Sequence, residues 1–321
     1  MKFRVFLLWF CLSMIGACGA FEKTSIRIGV QSLGTLEWEL HVLEADPDFK
    51  MSGIQLQIVS LANAEAGKIA LQSGAVDMIV SDWIWVSSQR VTGGDLTFYP
   101  YSNTSGALMV PENSPIYKIA DLAGKRLGIA GGELDKNWLL LQALAKKQNL
   151  NISELVETTF AAPPLLNEQI KQKRLDALLT YWHFASRLET QGYRQIIDGS
   201  EILKGLGVKL NVPSLGYVFK QSWAQDHRFS LNDLFKATRQ ARQKICSKDD
   251  VWQSVIPLTH VDDASTQVLL RQRYCQGGVD QWGEAEQKAA EEIYQLLRGV
   301  SHNQLTGHSE HLQAGTFWNL N

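Results

Sequence analysis

The sequence predicts an α/β protein of two lobes joined by two strand crossings. Three observations lead there. Short strands alternate with longer helices from Ser25 onward; the alternation is punctuated at Pro111 and Pro115 and then restarts; and two extended stretches are long enough to run from one half to the other. A chain of 321 residues normally divides in this way.

In the first half, residues 26–30 read as a strand, 36–45 as a helix stopped by Pro47, and 54–59 as an alternating strand. Asn63 is placed to cap a helix that Gly74 ends, and 75–80 is the next strand. A helix over 82–91, Gly93-Gly94 and extended stretches at 96–99 and 107–110 follow, with the first crossing at 102–108. The second half repeats the scheme: strands at 126–130, 157–160 and 176–180, helices over 135–147, 165–173 and up to about Thr190. Short connections of this kind argue for parallel sheets covered by helices. The stretch 209–219 crosses back, and helices over 231–245, 264–273 and 284–297 are expected to pack on the first lobe, with a polar surface wrap from Gly299. The implied division is a leader over 1–20, lobe 1 over 21–105, lobe 2 over 106–208 and a return to lobe 1 over 209–321.

Lys2 and Arg4 precede an apolar run over 5–15 and the small residues Gly16, Ala17, Gly19 and Ala20, the layout of a secretory signal. The run is too short to span a bilayer. The mature chain is therefore expected in the periplasm, away from nucleotide cofactor pools. Ile15-Gly16-Ala17-Cys18 also resembles a bacterial lipobox, with Cys18 as the lipidated residue; cleavage after Ala20 is the alternative. Over the whole chain 31 basic and 33 acidic residues nearly balance, so nothing suggests nucleic acid or an anionic lipid surface, and a lipid on Cys18 is the one expected membrane link. Cys246 and Cys275 can pair in an oxidising compartment, closing a loop worth roughly 3–4 kcal/mol; two buried thiols are the alternative.

Leu108 to Gly132, LMVPENSPIYKIADLAGKRLGIAGG, together with IRIGVQSLG at 26–34 and LQSGAVDMIVSDW at 71–83, resembles the bacterial solute-binding proteins of the nitrate, taurine and aliphatic-sulfonate transport group. The resemblance implies a type II periplasmic-binding-protein fold, one ligand held between two α/β lobes, and a membrane permease with a cytoplasmic ATPase as partners of a monomer. Ligands of open α/β sheets sit beyond the carboxyl ends of the strands, which makes the candidate contacts listable by position.

Those strand ends carry Gln31, Ser32, Glu37, Trp38, Asn63, Ser81, Asp82, Trp83, Gly131, Gly132, Asp135, Trp138, Trp182 and His183. Polar side chains and glycine amides there could hold any small head group. The tryptophans, Trp85 included, could stack on a ligand or fill the interlobe core; Trp83 and Trp85, two residues apart, point about 200° apart on a helix, so at least one belongs to the core. Basic residues are scarce in these loops, Lys136 being the exception, whereas Glu37, Asp82, Glu133 and Asp135 are acidic. A carboxylate about 4 Å from an anionic ligand costs on the order of 4 kcal/mol at an effective dielectric of 20. If any acid points inward unpaired, a cationic or neutral, partly aromatic solute is favoured over a sulfonate or nitrate. The other reading of Asp82, Asp135 and Glu37 is that they cap or face helix N-termini without touching ligand.

No nucleophile elbow, zinc-protease, C-x-x-C or P-loop motif occurs. Gly205-Leu206-Gly207 lacks the third glycine of a dinucleotide fingerprint, Leu210 standing in its place, and His302, His308, Glu310 and His311 lie in a polar tail, so neither cofactor nor metal is expected. An enzyme of the pyrimidine-synthase type shares the fold by family analogy, but its cysteine-rich motif is missing. A ligand-sensing adaptor for a signalling partner is the remaining alternative to transport.

Overall fold

The structure, a computed structural model, describes residues 23–319. The leader over 1–20 and the lipidation at Cys18 lie outside the described residues. The chain builds β1 (Thr24–Gln31), α1 (Leu36–Ala45), α2 (Pro47–Lys50), β2 (Ile54–Leu61), α3 (Ala64–Ser73), β3 (Met78–Ser81), α4 (Trp83–Val91) and β4 (Leu96–Ser102). It then crosses to β5 (Ala107–Pro111), β6 (Arg126–Ala130), α5 (Lys136–Lys147), α6 (Ile152–Leu155), β7 (Glu157–Ala161), α7 (Pro163–Lys171), β8 (Ala177–Thr180), α8 (Trp182–Glu189), β9 (Tyr193–Asp198) and α9 (Gly199–Leu206). After the return come β10 (Leu215–Lys220), α10 (Gln221–Asp226), α11 (Arg228–Ser247), α12 (Asp249–Thr259), α13 (Ala264–Gln276) and α14 (Glu284–Val300).

Two five-stranded sheets result, ordered β2-β1-β3-β10-β4 and β7-β6-β8-β5-β9. They are mixed, which corrects the all-parallel expectation: β10 runs antiparallel to β3 and β4, and β5 antiparallel to β8 and β9. The strand that follows each crossing, β5 or β10, enters its sheet from the other lobe and so runs against the parallel trio. Within each trio the construction repeats. Arg27 on β1 grips Asp77 through its amide and guanidinium, and Arg126 on β6 grips Asp176 the same way, each aspartate fifty residues after its arginine. The two halves are thus built on one plan, which places the carboxyl ends of β2-β1-β3 and β7-β6-β8 in equivalent positions.

The straps between the lobes are held together. Ser214 Oγ in the returning strap donates to the Thr104 carbonyl at 2.8 Å, and the Asn103 amide and side chain donate to the Gly277 and Gly278 carbonyls at 2.9 and 2.8 Å. The C-terminal helices do not pack on lobe 1 alone. α13 lies against α8, with Arg273 on Glu189 and Thr266 on Thr190, and α14 lies against α5, burying Ala289, Ala290, Ile293 and Leu297. Which lobe such a helix meets is decided by the tertiary arrangement, which periodicity alone does not reveal. A disulfide joins Cys246 to Cys275 and so fixes α13 to α11.

The tail is no loose wrap either. The Phe98 amide donates to the Thr316 carbonyl, the Trp318 amide donates to the Phe98 carbonyl, both at 2.8 Å, and Trp318 is buried. The segment thereby covers β4, an edge strand that would otherwise present unpaired backbone groups. His311 in this tail pairs with Glu291 at 2.9 Å, and no cluster of metal-ligating side chains is found among the described residues.

Candidate functional site

The strand ends of the two trios face each other, and one charged contact joins them. Lys136 Nζ, at the first position of α5 in lobe 2, donates to Asp82 Oδ2 in lobe 1 at 3.1 Å. Asp82 Oδ1 accepts the Trp85 amide at 2.9 Å, capping α4. Burial alone would push the Asp82 carboxyl up, but the Lys136 charge and the Trp85 amide outweigh it and hold the group below the usual carboxylate range. Burial likewise works against the Lys136 ammonium, and Asp82 and Asp135 more than restore it.

Asp135 is the cap of α5, its Oδ1 accepting from the Asn137 and Trp138 amides at 2.9 and 3.2 Å. Burial raises its pKa against the pull of Lys136 and those amides. Gly131, at φ +97°, lets the backbone turn away from β6; a Cβ there would stand 3.2 Å from the Tyr181 hydroxyl and 3.4 Å from Asp135 Oδ2. That hydroxyl is pushed up to about 12 by burial and by Asp135. Tyr181 was not among the residues expected at the site, although it sits between Thr180 and Trp182 at a strand end; a tyrosine beside a tryptophan gives no signal of which ring faces inward.

The other expected residues divide. Gln31 and Ser32 are exposed at the end of β1, Ser81 is buried beside Asp82 at the end of β3, and Gly132 is exposed with open space around it. Asn63 is exposed and caps α3 by accepting the Ala66 amide at 2.9 Å. Glu37 lies half-buried in the first turn of α1, where its charge suits the helix N-terminus.

Four of the aromatic expectations need correction. Trp83, Trp138 and Trp38 are core residues, only 3%, 3% and 4% exposed. Trp83 donates its indole N–H to the Pro213 carbonyl at 3.0 Å in the returning strap, and Trp138 packs in the cluster shared with α14. Trp38 stands among Trp252, Tyr274 and Trp182, the last 6.4 Å away edge-on, so Trp38 and Trp182 touch each other across the lobes. His183 has no hydrogen-bond partner at Nδ1, and burial, helped by Arg187, lowers its pKa to about 3; it stays neutral and turned inward. Trp85 is half-buried, with the Lys68 ammonium 5.5 Å from its ring centroid.

A second polar cluster, not foreseen from local pattern, lies in lobe 1. Glu39 of α1 is buried and accepts from Arg242 Nε at 3.0 Å and from the Tyr274 and Tyr217 hydroxyls at 2.6 and 3.3 Å. The guanidinium stacks over Tyr274 and Tyr101. This cluster ties α1 to α11, α13 and β10.

A family model described as NMT1/THI5 like matches residues 49–250. An Escherichia coli (strain K12) protein named for binding aliphatic sulfonates is 27% identical over 200 residues, a stretch that spans 60% of this chain and 60% of that one. The periplasmic aliphatic sulphonate binding protein SsuA from Escherichia coli has a similar structure, with a TM-score of 0.73 at 16% identity over 92% of each chain. The alkanesulfonate-binding protein SsuA from Xanthomonas axonopodis pv. citri bound to MOPS gives 0.68 at 18% identity, over 92% of this chain and 99% of its own. These two likenesses establish the two-lobed fold.

Proposed function

Because the chain belongs to the NMT1/THI5-like family, we propose that it is the solute-capturing component of an importer, working in the periplasm with a membrane permease and its cytoplasmic ATPase. It carries no chemistry of its own: the relatives described above are binding proteins. Its ligand is a small organic anion of sulfonate type, gripped between the lobes so that contacts to both favour the closed form.

The observation that carries this reading is Lys136, a cation at a helix N-terminus whose ammonium stands where the strand ends of the two lobes meet. The case for a cationic or partly aromatic solute rested on unpaired acids and free aromatic faces. Asp82 is matched by Lys136, Asp135 is occupied by the α5 amides, and Trp38, Trp83 and Trp138 are packed in the core. The first turn of α8 has no side-chain cap, so its amides add a second positive pole on the lobe 2 side. Micromolar capture needs about 8 kcal/mol net, within reach of one charge-assisted contact and several hydrogen bonds.

Calorimetric titration with short alkanesulfonates, aminoalkanesulfonates and the corresponding amines tests the reading. Sulfonates are expected to release heat and simple amines to release none. The neutral double variant Asp82→Asn/Lys136→Met, which strands neither charge, should bind on the order of tenfold more weakly or worse. Binding of amines without sulfonates would end the proposal.

A further inference from the structure

One sheet edge is left open. The order β2-β1-β3-β10-β4 puts β2 and β4 on the outside of the lobe 1 sheet, and the segment 316–318 covers β4. In the parallel ladder with β1, the Thr24 amide donates to the Gly53 carbonyl at 2.8 Å and the Ser32 amide to the Leu61 carbonyl at 2.9 Å. The odd-numbered residues of β2 therefore turn their backbone groups toward β1, and the even-numbered ones turn theirs outward. The Ile54 amide finds Ser52 Oγ at 3.3 Å, but the backbone groups of Leu56, Ile58 and Ser60 have no protein partner among the described residues. Charged side chains discourage pairing at the edges of the other sheet: Glu157 on β7, Arg194 and Asp198 on β9. From Met51 to Ala64 no residue is charged and none is proline, and Met51 and Ile58 are 77% and 39% exposed.

We infer that β2 pairs antiparallel with β2 of a second copy of this chain, joining two lobe 1 sheets edge to edge in a two-fold dimer in place of the monomer that the sequence resemblance implies. Two features select a second copy. A two-fold axis at Gln57 sets Leu56 against the partner's Ile58 and Ile54 against the partner's Ser60, so outward amides and carbonyls meet their counterparts. The charges flanking the strand also suit this direction: Asp48 and Lys50 precede it, Glu65 and Lys68 follow it, and antiparallel pairing brings Lys50 to the end that carries the partner's Glu65. Glu65 is 74% exposed and gives only one of its oxygens to Lys68. Parallel pairing would instead set Lys50 against its own copy.

Sedimentation equilibrium over a concentration series reaching the millimolar range tests this on the wild-type protein and on Ile58→Lys. Ile58 is exposed and lies in no core cluster among the described residues, so the variant is expected to fold, and a thermal melt verifies it. Wild type should show a monomer–dimer equilibrium, and Ile58→Lys, which sets two ammonium groups across the seam, should weaken it about tenfold or more. Gln57→Cys reads the register: on the axis, it should cross-link to its own copy under mild oxidation, whereas Gln55→Cys, two residues off the axis, stands too far from its copy to do so. A wild-type protein that stays monomeric throughout, a dimer that Ile58→Lys leaves intact, or cross-linking no faster at Gln57 than at Gln55 overturns the dimer. None of these measurements involves the ligand, so each of those failures leaves the solute-capturing function in place.

Discussion

Arg242→Met isolates the buried Glu39 carboxylate and measures what holds α1 in place. The two side chains are only 2% and 11% exposed, at 3.0 Å, so water screens them little. Removing one partner of such a pair costs about 3–5 kcal/mol, a large share of the 5–15 kcal/mol a domain usually has. Two tyrosine hydroxyls remain on Glu39 but bring no charge. The double variant Glu39→Gln/Arg242→Met buries no ion, and should regain roughly 0.5–3 kcal/mol over Arg242→Met alone. Urea unfolding at constant slope gives these differences.

A pH arm sharpens the test. Burial raises the folded-state pKa of Glu39, opposed by Arg242 and the tyrosines, so the folded protein holds this proton more firmly than the unfolded chain. Its contribution is greatest below the ordinary carboxylate range and is lost as pH rises through the folded value. Without Arg242 that value climbs further, so the deficit of Arg242→Met should be small in acid and widen toward neutrality. A deficit independent of pH, or losses that add without coupling in the double variant, would refute the ion-pair account.

Two further outcomes are expected. His183, with a folded-state pKa of about 3 against an ordinary 6.5, binds fewer protons folded than unfolded between those values, so the stability tied to its neutral form is complete above pH 6.5 and is lost toward pH 3; His183→Phe should flatten that part of the acid limb in a pH series of melts. Replacing Cys246 and Cys275 by serine opens a cross-link between residues 29 apart and should cost about 3–4 kcal/mol in urea unfolding, unless the unfolded chain keeps structure of its own.

Local chemistry was legible in the sequence wherever a decision is made within a few residues. Asn63 and Gly74 bound α3, Asp82 and Asp135 cap α4 and α5, and the parallel trios stand where alternation placed them. What could not be read depends on partners far along the chain. Lys136 meets Asp82 across 54 residues, and Glu39, which in a helix pattern looks like a solvent-facing acid, meets Arg242 across 203. Trp138 sits at a strand-to-helix junction that suits ligand contact, yet its neighbour is decided by α14, which passes over lobe 2 from a position late in the sequence. The helix α12 was not foreseen; its Pro257 falls in the last turn, where it does not break the middle.

The place of β10 between β3 and β4 governs the order in which this molecule can be completed. Sheet β7-β6-β8-β5-β9 draws every strand from one unbroken stretch, so it can assemble as soon as that stretch is available. The other sheet must keep a slot vacant: β4 has no strand neighbour, and β3 an open flank, until a strand more than a hundred residues later arrives to fill it. Long-range pairings of this kind are slow and leave sticky edges in the meantime, so the later-made half of the body is the first to mature, and the half begun earliest is the one that needs a chaperone's protection.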